Sequence, residues 1–454
     1  MAGRVAEDVM EQEIKNEMKQ RILAELDMSQ EIDDMEVRRL VDQCIMEYKG
    51  TTELPLPARI KLRKELFNTV RRMDVLSEFL EDESVTEIMI NGYDNIFIER
   101  SGRVYKVDQT FENEERLASI IQQIVAGCNR IVNEAVPIVD ARLADGSRVN
   151  VVLPPISLNG PTMTIRKFPK EKMTMERLIE VGALSEDAAE FLKRLVKARY
   201  NIFVSGGTGA GKTTFLNALS DYIPQQERVI TIEDSAELQL KNVVNLVRLE
   251  SRNSNVEGTN AVTIRELIKS SLRMRPDRVI VGEVRDAAAI DMLAAMNTGH
   301  DGRLSTGHAN SSGDMITRLE SMVLMGMELP LEAVRRQIAS AVDVIIHLGR
   351  LRDGSRKVLE IAEVTGMREG LVELHTIYEF EEMVAGEEQE VTDMVYAAAG
   401  TLSEQNVTDG FQLHKVTGRL RARAELLHQE KFLRAGIAYK SVLCAEVRSE
   451  GAGV

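Results

Sequence analysis

From Met10 the apolar residues Met10, Ile14, Met18, Ile22 and Leu26 recur every four positions among Glu, Lys and Gln, and Val37, Leu40, Val41 and Cys44 follow the same spacing. Such stripes lie along one face of an α-helix, so two amphipathic helices are predicted, to pack on the chain's next domain or to dock a partner. A Thr- and Pro-containing linker from Gly50 to Pro57 precedes another helical stretch, Ala58 to Leu80. The texture then changes. Val85 to Gly92 and Asn95 to Gly102 read as short strands closed by Asn-Gly and Ser-Gly turns. A helix from Glu114 to Ala126, the run Asp140 to Val149, and strands at Val149 to Leu153 and Met163 to Phe168 complete an α+β unit. Gly160-Pro161 forms a turn between the last two.

After Pro169, apolar strand patterns alternate with helical ones: a helix through Ala188 to Val196, the strand Asn201 to Val204, the strand Arg228 to Ile232, a helix carrying Ile264, Leu267, Ile268 and Leu272, the strand Arg278 to Gly282, and a helix from Ala287 to Met296. That alternation predicts an α/β domain, a parallel sheet wrapped by helices. Beyond Ile377 the chain turns polar and acidic, with one helix predicted through Ala424 to Leu433. The expected organisation is an N-terminal helical region (1–79), an α+β domain (80–168), an α/β domain (169–377) and a peripheral tail (378–454).

One loop in this pattern carries chemistry. Gly206-Gly207-Thr208-Gly209-Ala210-Gly211-Lys212-Thr213, followed by Thr214, fits the phosphate-binding P-loop, and it lies between a predicted strand and a predicted helix. The glycines let successive backbone N–H groups turn inward, Lys212 reaches the outer phosphates, and the Thr213 hydroxyl is offered to Mg²⁺. The helix N-terminus directs its dipole at the same anion. A nucleoside triphosphate, ATP with Mg²⁺, is the implied ligand.

Composition narrows the partners. The 454 residues exceed a soft norm of ~150 per domain, so two or three domains are expected. A formal net charge of −15 argues against a protein that coats nucleic acid and suits an ATPase acting on proteins. Cys44, Cys128 and Cys444 are too scattered for a zinc site or a disulfide framework, which fits a reducing cytoplasm. Without a long apolar run or a signal-peptide pattern, any membrane contact is expected to be peripheral.

Hydrolysis needs more than a P-loop. Thr231-Ile232-Glu233-Asp234 and Val281-Gly282-Glu283-Val284-Arg285 place Glu233 and Glu283 at the carboxyl ends of predicted strands, where open α/β sheets bind ligands. Gly282 stands where the commoner ending has Asp. Glu283 then becomes the water-orienting carboxylate, with Glu233 sharing that task or helping to hold Mg²⁺. The run Thr298 to Asn310 sets His300 and His308 among glycines, where a neutral imidazole can sense a γ-phosphate or serve structure alone. Arg303 lies between the two histidines, either tuning nucleotide affinity or facing solvent.

The P-loop, the Thr-Ile-Glu-Asp box, the Gly-Glu-Val-Arg-Asp box and the Ser-Thr-Gly-His-Ala-Asn box, in this order and spacing, resemble the secretion and pilus ATPases of the type II/type IV superfamily. Within it, Val85 to Gly92, Asp140-Ala141-Arg142-Leu143 and Leu272 to Arg278 are similar to the CpaF-type ATPases of tight-adherence pili, over roughly residues 80–375. The resemblance implies a RecA-like P-loop domain preceded by the α+β domain, and a homo-hexamer at the cytoplasmic face of the inner membrane. Such a hexamer drives an integral-membrane platform. It also implies hydrolytic roles for Glu233 and Glu283, a place for His308 in the histidine box, and phosphate-reaching roles for Arg142, Arg148, Arg166 and Arg285. A DNA-translocating motor and a nucleotide-binding scaffold with little turnover are the competing functions. No family feature accounts for the segment from Glu381 to Gly410, and the tetracysteine zinc insertion of some relatives is absent.

Overall fold

The computed structural model describes Met18, residues 21–22, 34–47, 56–71, 73–100, 102–128, 130–168, 173–252, 260–297, 301–382 and 416–443. The described residues up to Phe168 belong to one compact unit and those from Met173 onward to a second. Of the first predicted N-terminal helix only Met18, Arg21 and Ile22 are described, and the linker before Leu56 lies outside the described residues.

In the first unit the second apolar stripe forms the helix Asp34–Glu47, which packs Val37, Val41 and Cys44 against Leu62, Leu66 and Phe67. The stretch expected as one helix from Ala58 to Leu80 is two, Leu56–Arg71 and Leu76–Glu81, with Asp74 at φ 55° between them. Next comes a six-stranded antiparallel sheet in the order β3-β2-β1-β6-β5-β4. Its strands are β1 (Val85–Asn91), β2 (Ile96–Arg100), β3 (Arg103–Lys106), β4 (Ile138–Arg142), β5 (Arg148–Val152) and β6 (Thr162–Arg166). Val85 and Ile88, three apart, are both buried, which strict alternation forbids. A bulge between Val85 and Glu87 absorbs the extra residue and returns both side chains to the core face. The helix Glu114–Gly127, capped by the Asn113 side chain, buries Leu117, Ile120, Ile121 and Ile124 in the same core.

The second unit is built on a nine-stranded sheet ordered β15-β14-β13-β12-β7-β11-β10-β8-β9. Six strands run parallel: β7 (Ile202–Gly206), β8 (Arg228–Glu233), β9 (Asn245–Glu250), β10 (Arg278–Val281), β11 (Leu304–Gly307) and β12 (Val344–Arg350). Helices cover both faces, so these strands are apolar on both sides. Ile202, Val204, Val229 and Ile280 enter one core, while Phe203, Ile230, Ile232, Val279 and Val281 enter the other. An antiparallel ribbon of β13 (Arg356–Arg368), β14 (Leu371–Glu382) and β15 (Gly418–Ala422) extends the sheet.

The tail expectation needs correction. β14 continues to Glu382, and residues 416–443 return to the second unit, burying Leu420, Leu426, Phe432 and Val442 in its core. Phe432 packs on Tyr200 and Tyr439 at ring distances of 5.3 and 5.6 Å. The helix predicted over 424–433 forms only at its end, as the short helix Glu430–Arg434. Low local hydrophobicity concealed a segment in which a few apolar residues join the core while Leu427, Leu433 and Leu443 stay exposed.

Candidate functional site

Parallel pairing brings four strand ends to one edge: Gly206 closes β7, Glu233 closes β8, and Glu283 and His308 follow β10 and β11. Brought together there, the residues from the predicted boxes meet around the P-loop. Gly206 has φ 156°, and a Cβ there would stand 2.6 Å from the Leu348 carbonyl oxygen, so only glycine permits the chain to leave β7 at this point. Gly211 at φ 89° precedes the helix Lys212–Ser220, whose first residue carries the ammonium.

Lys212 is 8% exposed. Its Nζ donates to the carbonyls of Gly206 and Gly207, each at 3.0 Å, and to His308 Nδ1 at 3.1 Å. Burial depresses the pKa of Lys212, and the Glu283 carboxylate opposes that shift. Because the ammonium can only donate, His308 Nδ1 is the acceptor and the ring proton belongs on Nε2. Burial, reinforced by nearby cations, lowers the pKa of His308 and keeps the ring neutral, against the pull of Glu283. Nε2 lies 2.8 Å from Glu283 Oε1, a charge-contact distance without hydrogen-bond alignment. The other oxygen of Glu283 accepts from Arg285 Nη2 at 2.6 Å. Arg285 also approaches Asp234 at 3.7 Å, and its pKa is raised chiefly by the bond to Glu283. Lys212, His308, Glu283 and Arg285 thus form one chain of contacts along the strand ends.

Glu233 is 3% exposed, and burial raises its pKa. Its Oε2 accepts the amides of Glu237 at 2.7 Å and Leu238 at 2.9 Å, while Oε1 is buried without a hydrogen-bond partner. A Cβ at residue 282 would stand 2.9 Å from Glu233 Cγ, which gives Gly282 its reason: the commoner Asp would displace the glutamate of the neighbouring strand.

A cleft of about 640 Å³ opens beside these residues, lined by Gly207, Thr208, Arg285, His308, Ala309, Asn310, Asp314, Thr317 and Arg318. Sequence reading had Asn310 in the histidine box but overlooked Asp314, Thr317 and Arg318, although the 314, 317, 318 spacing marks one face of the helix Ser312–Gly326. It also overlooked Arg356, the first residue of β13, whose Nε donates to the Gly209 carbonyl at 2.8 Å and braces the P-loop from the ribbon side.

Arg303 takes neither expected role. It is 2% exposed at the start of β11, the end away from the P-loop, and burial pushes its guanidinium down to about 10. Its backbone amide and that of Gly302 donate to Asn201 Oδ1. Strand polarity decides this, since residues before and after β11 emerge at opposite edges. His300 lies outside the described residues. In the first unit, Arg142, Arg148 and Arg166 stand in register on neighbouring strands β4, β5 and β6, forming a row of cations. Arg166 also approaches Glu87 at 3.6 Å.

A doubly covered parallel sheet with a P-loop, strand-end carboxylates and a neutral histidine beside the P-loop lysine defines a RecA-like P-loop ATPase domain. Residues 71–431 match the profile of the type II/IV secretion system proteins, and the chain belongs to that family. It is therefore an ATPase of the type II/IV secretion class. A Mycobacterium tuberculosis protein provisionally named a conjugal transfer protein is 34% identical over 356 residues, spanning 77% of this chain and 99% of that one. The type IV secretion protein VirB11 of Brucella suis biovar 1 is 33% identical over 322 residues, 64% of this chain and 88% of that one. The crystal structure of a Brucella suis VirB11 ATPase in complex with sulphate aligns at 30% identity and a TM-score of 0.36, over 63% of this chain and 92% of that one.

Proposed function

We propose that this ATPase is the motor of a pilus-assembly system of the tight-adherence, CpaF type, acting as a homo-hexamer against an integral-membrane platform at the cytoplasmic face of the inner membrane. The contact chain Lys212–His308–Glu283 carries the hydrolytic part of the reading. On nucleotide entry Lys212 exchanges the carbonyls of Gly206 and Gly207 for phosphate oxygens, which the backbone amides of Gly207 to Thr214 also cradle. Glu283 orients the attacking water once Arg285 or His308 releases one of its oxygens. His308, neutral and protonated on Nε2, donates toward the terminal phosphate. Arg142, Arg148 and Arg166 are planar, multi-donor cations suited to contacting phosphate.

Among the described residues no three His, Cys, Asp or Glu side chains converge on a metal position. That donor set suits Mg²⁺ held mostly by phosphate and water, with the Thr213 hydroxyl and the unpartnered Oε1 of Glu233 as the chain's own hard-oxygen donors. When bound, Mg²⁺ neutralises charge on the outer phosphates. No described helix is long and apolar enough to cross a membrane, so the proposed platform contact is made from the protein surface.

Steady-state ATP hydrolysis, with oligomeric state recorded alongside, tests the reading. Lys212→Ala is expected to abolish binding and turnover, and Glu283→Gln to bind ATP yet turn over at least ~100-fold more slowly. Wild-type turnover in Glu283→Gln would refute the carboxylate assignment. The conjugal-transfer name of the mycobacterial relative favours a second reading, a motor for nucleic-acid export. Salt-sensitive stimulation of hydrolysis by DNA would select it, and co-purification with a pilus platform protein would select the first.

A further inference from the structure

Arg318 is a cation of the cleft that the roles above leave unused. It lies on the helix Ser312–Gly326 and lines the cleft together with Gly207, Thr208 and His308. The other cations at this edge are engaged: Arg285 by Glu283 and Asp234, and Lys212 by two P-loop carbonyls and His308. The Arg318 guanidinium makes no hydrogen bond or ion pair with any described residue. Asp314 precedes it by four positions, the acid-before-base spacing that favours a helical ion pair, yet the pair does not form. Instead the Arg318 charge is felt by His308, whose protonation it opposes. His308 Nδ1 is 3.1 Å from the ammonium of Lys212, which serves the outer phosphates, so the wall shared by His308 and Arg318 lies on the terminal-phosphate side of the cleft.

We propose that Arg318 binds the terminal phosphate of the nucleotide from the chain's own cleft wall, making the site discriminate a triphosphate from a diphosphate. The proposal rests on the ATP-hydrolysing reading of this cleft. A guanidinium presents five donors in a rigid fork, and a phosphate supplies the acceptors that Asp314 does not. Contact confined to the terminal phosphate adds affinity for ATP and none for ADP. It also gives the cleft a positive element that depends on no other subunit.

The test uses the full-length chain and measures the affinities of ATPγS and ADP for wild type, Arg318→Ala and Arg318→Lys. Arg318→Ala is expected to bind ATPγS about tenfold or more weakly, the typical loss for one charge-assisted hydrogen bond. ADP affinity should stay within about twofold, and Arg318→Lys should recover part of the ATPγS affinity through charge alone. Equal weakening of both nucleotides would overturn the proposal by placing the effect on fold or on the inner phosphates, and unchanged ATPγS affinity would overturn it outright. A wild type that separates ATPγS from ADP through Arg318 but never hydrolyses ATP would refute the motor reading and support the Arg318 assignment. A hydrolysing wild type with an unaffected Arg318→Ala variant would do the reverse.

Discussion

Gly282→Ala probes the join between the two strands that carry Glu233 and Glu283. Gly282 is not in the positive-φ region, so alanine meets no backbone strain there. Its Cβ would lie 2.9 Å from Glu233 Cγ, 3.5 Å from Glu233 Cβ and 3.6 Å from Oε2. The glutamate cannot swing aside freely, because the amides of Glu237 and Leu238 hold its Oε2. Overpacking of this kind costs about 1–3 kcal/mol. The smaller conformational freedom of alanine in the unfolded chain returns about 0.4–1 kcal/mol. The net expectation is a loss of about 1.3 kcal/mol at the midpoints of these ranges, and at most about 2.6 kcal/mol, in the second unit. With Glu233→Ala already in place the Cγ contact is gone and the Cβ contact is an ordinary one. Gly282→Ala should then stabilise by about 0.4–1 kcal/mol, reversing sign. Urea unfolding of the four proteins, followed by far-UV circular dichroism, gives the coupling directly. Equal effects of Gly282→Ala in the two backgrounds, within about 0.3–0.5 kcal/mol, would refute the steric account of this glycine.

Phe432→Ala is expected to destabilise the second unit by about 3–5 kcal/mol, since the ring is buried between Tyr200 and Tyr439. An unfolding midpoint that does not move would show residues 416–443 to be dispensable. Two buried groups give opposite pH signatures. The carboxyl of Glu233 has a raised pKa, so above the ordinary value of 4.5 the native state holds its proton more tightly than the unfolded chain does, and stability falls as pH rises through the raised value. Glu233→Gln should therefore be more stable than wild type at neutral pH, with the gain vanishing as pH drops toward 4.5. His347, buried beside Ser205, has a lowered pKa, so its contribution is lost as pH falls below the ordinary 6.5. Thermal melting at pH 8 and pH 5.5 checks this: His347→Gln should lose less stability on acidification than wild type does.

Much of the site was legible because its parts are local. A P-loop needs its glycines, lysine and threonine within one short run, and two-sided burial writes Ile202-Phe203-Val204, Val229-Ile230 and Val279-Ile280-Val281 as unbroken apolar strands. Parallel strands then imply that carboxylates and histidines following them share an edge, so Glu233, Glu283 and His308 could be gathered without coordinates. The clearance between Gly282 and Glu233 could not, because residues 49 positions apart meet only after β8 and β10 pair. Arg303 stood beside the histidine box in sequence, yet the direction of β11 buries it at the far edge. Arg318 and Arg356 reach the P-loop neighbourhood from elements far along the chain that carry no motif. Residues 416–443 disclose their core role only when Tyr200 and β14 supply the other half of the packing surface. The sequence by itself determined the phosphate-binding motif and the placement of Glu233 and Glu283 at strand ends, because short-range backbone geometry and burial period set both. Tertiary packing decided which charges face the cleft and which are sealed away, since that depends on the polarity and spacing of strands joined across long sequence distances.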